Sequence, residues 1–154
     1  MSTKTTQHIG AAGEMLVQYL LLKYGIDSAA MTTDSGVDLV AYSPTTNRSY
    51  TIQVKTKEKP TQGGGKGKLA LDWNLRDSSP AELVAVVDLS TDSVWLFTHA
   101  EFQHHAQQHS EKGIMKLYMY VDETVNTKKE MALLSQFEPF KVQNRVITFF
   151  GARN

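Results

Sequence analysis

Cysteine is absent, which removes disulfides, thiolate zinc sites and cysteine nucleophiles together. Long apolar runs are absent too: the most extended, Leu16 to Leu22 and Leu83 to Val87, are far too short to span a bilayer, and no basic-then-apolar opening reads as a signal peptide. A soluble, cytoplasmic protein without a membrane partner is therefore expected. Net charge is missing as well, with 16 Lys plus Arg against 16 Asp plus Glu, so a histone-like coat that grips nucleic acid over its whole surface is excluded. What is present is an ordinary globular composition. With 41% hydrophobic residues in 154, no internal repeat and no dividing linker, residues 1–154 are expected to form one domain able to bury its own core.

The zero average conceals a local excess. Residues 48–76 carry Arg48, Lys55, Lys57, Lys59, Lys66, Lys68 and Arg76 against Glu58 and Asp72, a surplus of five positive charges. The segments on either side are net negative, so contact with a polyanion is confined to one face and is sensitive to salt. The run Gln62-Gly63-Gly64-Gly65-Lys66-Gly67-Lys68 reads as a mobile loop, in which glycine backbone lets phosphates approach closely. Lys57, Lys59, Lys66 and Lys68 are the candidate nucleic-acid contacts, although an ordinary solvated loop accounts for the same residues. The run lacks the G-x-x-x-x-G-K-[ST] frame of a Walker loop.

Hydrophobic periodicity outlines an α/β chain. His8 to Tyr24 is predicted as a helix stopped at Gly25, and its nearly continuous apolar stretch from Met15 to Leu22 implies cover on most sides. Strands are predicted at Asp27 to Thr33, Val37 to Tyr42, Ser49 to Lys57, Leu83 to Leu89 and Ser93 to Thr98, the fourth apolar enough to be buried on both faces. Leu69 to Trp73 reads as a short strand or the entry to a helix, with Trp73 in the core. A polar helix is expected at Ala100 to Glu111, a strand at Lys116 to Val121, a helix around Lys128 to Gln136 and a closing strand at Arg145 to Phe150. The whole is a central mixed sheet flanked by helices. The turn-forming run Ser43 to Arg48 makes the second and third strands an antiparallel hairpin. Centred near residues 45–46, it sets Asp38 opposite residues 53–54, with directly opposed side chains about 5 Å apart.

That register assembles a chemical constellation. Glu14 lies on the first helix, Asp38 on one strand of the hairpin, and Gln53 and Lys55 project together from its partner because side chains alternate with period two. Oxygen donors of this kind suit Mg2+, which accepts one or two carboxylates together with a carbonyl and a substrate phosphate. A metal there polarises a phosphoryl oxygen and acidifies a bound water, while the lysine stabilises developing negative charge. Phosphodiester hydrolysis needs those parts. Taken singly, each residue has a plainer explanation: Gln53 and Lys55 fit any half-exposed strand, and Asp38 fits a polar strand end. His99, His104, His105 and His109 fit a solvated face better than a zinc site, although His105 and His109 stand four apart on the expected helix.

Through Gly13-Glu14, Gly36-Val37-Asp38-Leu39-Val40 and Ile52-Gln53-Val54-Lys55-Thr56, residues 8–57 resemble the PD-(D/E)XK, or restriction endonuclease-like, nuclease superfamily. The resemblance implies an α/β core with a central four-stranded mixed sheet and an active site on the hairpin of its second and third strands. It implies Asp38 as a metal ligand, Gln53 at the position of the second acidic ligand, the Val54 backbone carbonyl as a further ligand, Lys55 as the catalytic lysine and Glu14 as the first-helix carboxylate. Two positions depart from the pattern. Val37 stands where a proline precedes the aspartate, and neutral Gln53 stands for Asp or Glu, which loosens the hold on a metal. The implied activity is that of a Mg2+-dependent endonuclease, with Mn2+ as a substitute, cleaving DNA rather than RNA. The alternative is a nucleic-acid-binding or assembly module that keeps the nuclease fold and has lost catalysis through Gln53. An ordinary domain with an Asp38–Lys55 salt bridge is a third reading. Cutting both strands of a duplex commonly needs two active sites, which fits a homodimer or homotetramer.

Overall fold

The computed structural model describes residues 3–63, 67–125 and 130–151. In chain order its elements are α1 (Thr6–Lys23), β1 (Asp27–Ala30), β2 (Leu39–Tyr42), β3 (Ser49–Lys57), β4 (Thr61–Gln62), β5 (Leu69–Arg76), β6 (Leu83–Asp88), β7 (Ser93–Thr98), α2 (His99–His105), β8 (Gln108–His109), β9 (Ile114–Tyr120), a 3-10 helix (Leu134–Phe140) and α3 (Val142–Phe150). None of the described helices is long and apolar enough to cross a membrane.

Both ends of α1 follow from local chemistry. The Thr5 hydroxyl accepts the His8 N–H, and the His8 ring accepts the Thr5 N–H. At the other end Gly25 takes a φ of 79°, and the N–H groups of Gly25 and Ile26 donate to the carbonyls of Leu22 and Leu21, closing the helix in a Schellman motif. Its cover is one-sided. Gly13, Val17 and Leu21 are buried, whereas Met15, Tyr19 and Leu22 are 69%, 58% and 58% exposed, which corrects the expectation of a helix enclosed on most sides.

The central sheet is mixed, as expected, with five strands in the order β1-β2-β3-β6-β7 and a single parallel pairing, β3 beside β6. Its hairpin has the register that the turn implied: Leu39 faces Ile52 and Tyr42 faces Ser49, with Asn47 in the left-handed region closing the turn. On one face Leu39, Ile52, Leu83, Ala85 and Val87 pack against Val17 and Leu21 of α1 and Val142 and Val146 of α3. On the other, Val84, Val86, Trp95 and Phe97 meet Leu71, Trp73 and Leu75. These last come from a second sheet, ordered β4-β5-β9-β8, which the sequence reading did not separate from the first. Burial on both faces is why β6 is apolar throughout.

Other expectations fail for identifiable reasons. Arg145 to Phe150 is the end of α3 rather than a strand, because Val142, Val146, Phe149 and Phe150 repeat at helical spacing. Arg145 locks that helix by donating to both carboxylate oxygens of Glu101, at 3.0 and 2.7 Å, while stacking between Phe140 and Phe149. The polar helix stops at His105, and His109 lies in β8 within 3.1 Å of Asp77, so the two histidines share no helix face. Part of the helix expected around 128–136 falls on residues outside those described, and its end lies in the 3-10 helix. The described ends of the glycine run are tied into a hairpin, the Gly67 N–H donating to the Gly63 carbonyl at 2.6 Å.

Candidate active site

Asp38 enters the site through an irregularity in the hairpin. One further step of the register would pair it with Gln53, yet its N–H donates to the Ile52 carbonyl at 2.9 Å. The ladder is offset there. Asp38 Oδ2 instead accepts the Val54 N–H at 2.7 Å, standing where a backbone carbonyl would stand in a regular ladder. Offsets of this kind re-aim side chains beside functional sites.

Glu14 reaches the same place from α1. It shares with Asp38, Asp34, Thr33 and Val37 the wall of an open hollow of about 300 Å3. Partial burial pushes the Glu14 carboxyl above its ordinary value, and the negative charges of Asp38 and Asp34 push it further. Gln53 and Lys55 line an adjoining hollow of about 380 Å3 with Asp34, Gly36, Arg76 and Ser79. Asp34 is therefore common to both walls. Gln53 Oε1 accepts the Ser79 hydroxyl at 2.6 Å, which fixes the orientation of the amide. Gly36 closes the arrangement: its φ is 91°, and a Cβ on it would lie 2.8 Å from the Pro80 ring, so the loop before β2 and the turn after β5 press together.

The structure thus brings Glu14 and Asp38 into one hollow and Gln53 and Lys55 into the next, with Val54 joined to Asp38 through its N–H. Three of the four candidate nucleic-acid contacts lie among the described residues. Lys57 stands 3.8 Å from Asp72 and Lys68 3.6 Å from Asp122, Lys59 is exposed just after β3, and Lys66 lies outside the described residues. Asp34 and Ser79 were missed by sequence reasoning. Asp34 offered a signal, an acidic residue one helical or turn step before Asp38 in a glycine-containing loop, whereas Ser79 reaches Gln53 across 26 residues and gave none.

Among the described residues there is no group of three or more His, Asp or Glu side chains that could hold a metal ion. Two carboxylates with an amide oxygen is a sparser set, but one that a hard cation keeping several waters accepts. Burial raises the Glu14 carboxyl most and the negative charges of Asp38 and Asp34 add to it, and a cation held there would offset the repulsive part. An acid whose pKa rises on folding binds its proton more tightly in the native state, so stability falls as pH climbs from about 4.3 through the raised value. In metal-free buffer Glu14→Gln is accordingly expected to raise the melting temperature at pH 7 and to flatten that decline. A melting temperature equal to or below that of the parent protein would show that the carboxylate is not under strain.

No family model matches the chain, and no curated protein sequence does. One of several matching solved structures superposes with a TM-score of 0.61 over 94% of this chain and 92% of its own, at 14% identity. That structure is a bacterial homing endonuclease. At this identity the likeness is one of fold, and it reaches well beyond residues 8–57.

Proposed function

We propose that the protein is a metal-dependent endonuclease of the PD-(D/E)XK type that hydrolyses DNA phosphodiester bonds. The observation that carries the reading is the seating of the Asp38 carboxylate on the Val54 N–H, with Glu14 in the same hollow and Gln53 and Lys55 in the next. The fold it shares with a homing endonuclease supports it. Asp38 and Glu14 would hold Mg2+ or Mn2+, with the Gln53 amide oxygen and the Val54 carbonyl as weaker donors; the bound ion supplies Lewis-acid charge and lowers the pKa of its water.

The remaining work falls to the chain. Lys55 and Arg76, on the wall of one hollow, offer positive charge to a phosphodiester and to the additional negative charge of its transition state. The Val54 N–H holds the Asp38 carboxylate in one orientation, and the Ser79 hydroxyl holds the Gln53 amide, so both donors are preorganised. Lys59, exposed after β3, positions the nucleic-acid backbone without reading its sequence.

Purified protein in excess over supercoiled plasmid is expected to nick it in Mg2+ or Mn2+, and EDTA to stop the reaction. Intact plasmid with either metal contradicts the proposal. One observation favours a second reading, a DNA-binding module without catalysis: with neutral Gln53 at the second ligand position, the described residues offer no group of three or more His, Asp or Glu side chains to a metal. Under that reading the plasmid is retained in a gel shift but stays uncut.

A further inference from the structure

The outer face of α1 is an apolar surface that the fold leaves uncovered. At about 100° per residue, Gly13, Val17 and Leu21 form the buried side of the helix, and His8, Ala11, Ala12, Met15, Tyr19 and Leu22 stand on the opposite side, all exposed. Glu14 and Lys23 are the only charged residues of the helix, and both lie on its flanks. Seven large apolar side chains are exposed among the described residues, and three of them, Met15, Tyr19 and Leu22, sit together here. A surface helix ordinarily turns its charges toward water, so a charge-free outer face about 21 Å long marks a contact surface.

The face is complementary to itself. Its small residues, Ala11 and Ala12, lie toward the N-terminus, its large ones, Tyr19 and Leu22, toward the C-terminus, and Met15 falls midway. A second copy laid antiparallel about a two-fold axis at Met15 sets the Tyr19 of each copy over the Ala11 of the other, His8 against Leu22, and Met15 against its own counterpart. Large meets small along the seam. A parallel pairing would instead oppose Tyr19 to Tyr19 and Ala11 to Ala11, leaving a gap at one end, and would align the two helix dipoles unfavourably. With both charges on the flanks, where the Lys23 ammonium lies 5.7 Å from the centre of the Tyr19 ring, the antiparallel seam desolvates neither a carboxylate nor an ammonium. The face offers on the order of 450 Å2, so the pair buries roughly 900 Å2 in total, somewhat below the standard interface and suited to a dimer of micromolar affinity.

We infer that α1 pairs antiparallel with the α1 of a second copy of this chain, forming a two-fold dimer centred on Met15. The axis of such a pair runs perpendicular to both helices, along their flanks, so Glu14, on one flank, comes to the same side of the dimer in both copies. Sedimentation velocity of the full chain in metal-free buffer tests the pairing, with monomer giving way to dimer between about 1 and 200 µM. Tyr19→Glu places a charge in the seam and, standing one turn before Lys23, suits the helix; it should stay monomeric throughout while melting like the dilute parent protein. Because the chain has no cysteine, Met15→Cys carries a single thiol. Under mild oxidation it should link into dimers about ten-fold faster than Ile147→Cys, whose position on α3 is 63% exposed and lies outside the seam. A parent protein still monomeric at about 200 µM, a Tyr19→Glu protein that dimerises like the parent, or equal linking of the two cysteine variants overturns the pairing. None of these measurements uses DNA or metal, so the nuclease reading stands or falls separately.

Discussion

Replacing Asp38 by alanine is expected to abolish metal-dependent nicking of supercoiled DNA, a loss of about 100-fold or more. Two effects contribute and they separate cleanly. The carboxylate is the proposed ligand, and its Oδ2 also accepts the part-buried Val54 N–H at 2.7 Å. Alanine removes both, and an N–H left unpaired costs about 1–3 kcal/mol, so Asp38→Ala should also be measurably less stable. Asn keeps an acceptor for Val54 while removing the charge. Asp38→Asn is therefore expected to melt close to the parent protein and still fail to nick. An Asp38→Asn protein that cuts at the parental rate would mean that the charge at residue 38 has no part in the chemistry.

Gly13→Ala is expected to destabilise the fold by about 2–3 kcal/mol, or roughly 5–10 °C in melting temperature for a chain of this size. Where α1 crosses β3, a Cβ at position 13 would be driven into Thr56, onto its hydroxyl and within 2.8 Å of its Cβ. Turning the Thr56 hydroxyl aside relieves only part of the clash, because the Thr56 Cβ and Cγ2 each lie 2.8 Å from that position. The helix must lift instead, and Glu14 lifts with it. Gly10 is the control on the same helix. Nothing lies within 4 Å of a Cβ there, so Gly10→Ala should be neutral or stabilising by about 0.5–1 kcal/mol through reduced backbone entropy in the unfolded chain. Equal melting temperatures for the two variants would refute the close crossing that sets Glu14 beside Asp38.

The hairpin was legible because its turn chemistry and alternation are local. Ser43 to Arg48 placed the centre, and the observed pairing of Leu39 with Ile52 follows from it. The offset at Asp38 was not legible, since no residue in Gly36-Val37-Asp38 announces that a side chain will replace a carbonyl in the ladder. Burial direction was equally hidden. Met15 and Leu22 are as apolar as Val17 and Leu21, and only the position of α1 over the sheet decides which are covered. Arg145 to Phe150 misled because a short run with three consecutive β-branched residues looks strand-like until Val142, one helical turn before Val146, is counted with it. The meeting of Gln53 with Ser79 and Arg76, and of Glu14 with Asp34, depends on contacts distant in sequence, which one chain read alone does not encode in any local pattern.

The central claim is that Asp38 and Glu14 hold a divalent metal beside Gln53 and Lys55. Anomalous diffraction from crystals grown in saturating Mn2+ tests it most directly. The account predicts a peak within about 2.5 Å of an Asp38 carboxylate oxygen, with Glu14 or the Gln53 amide as a second protein donor. Well-ordered density for Asp38 and Glu14 with no manganese between them would contradict it.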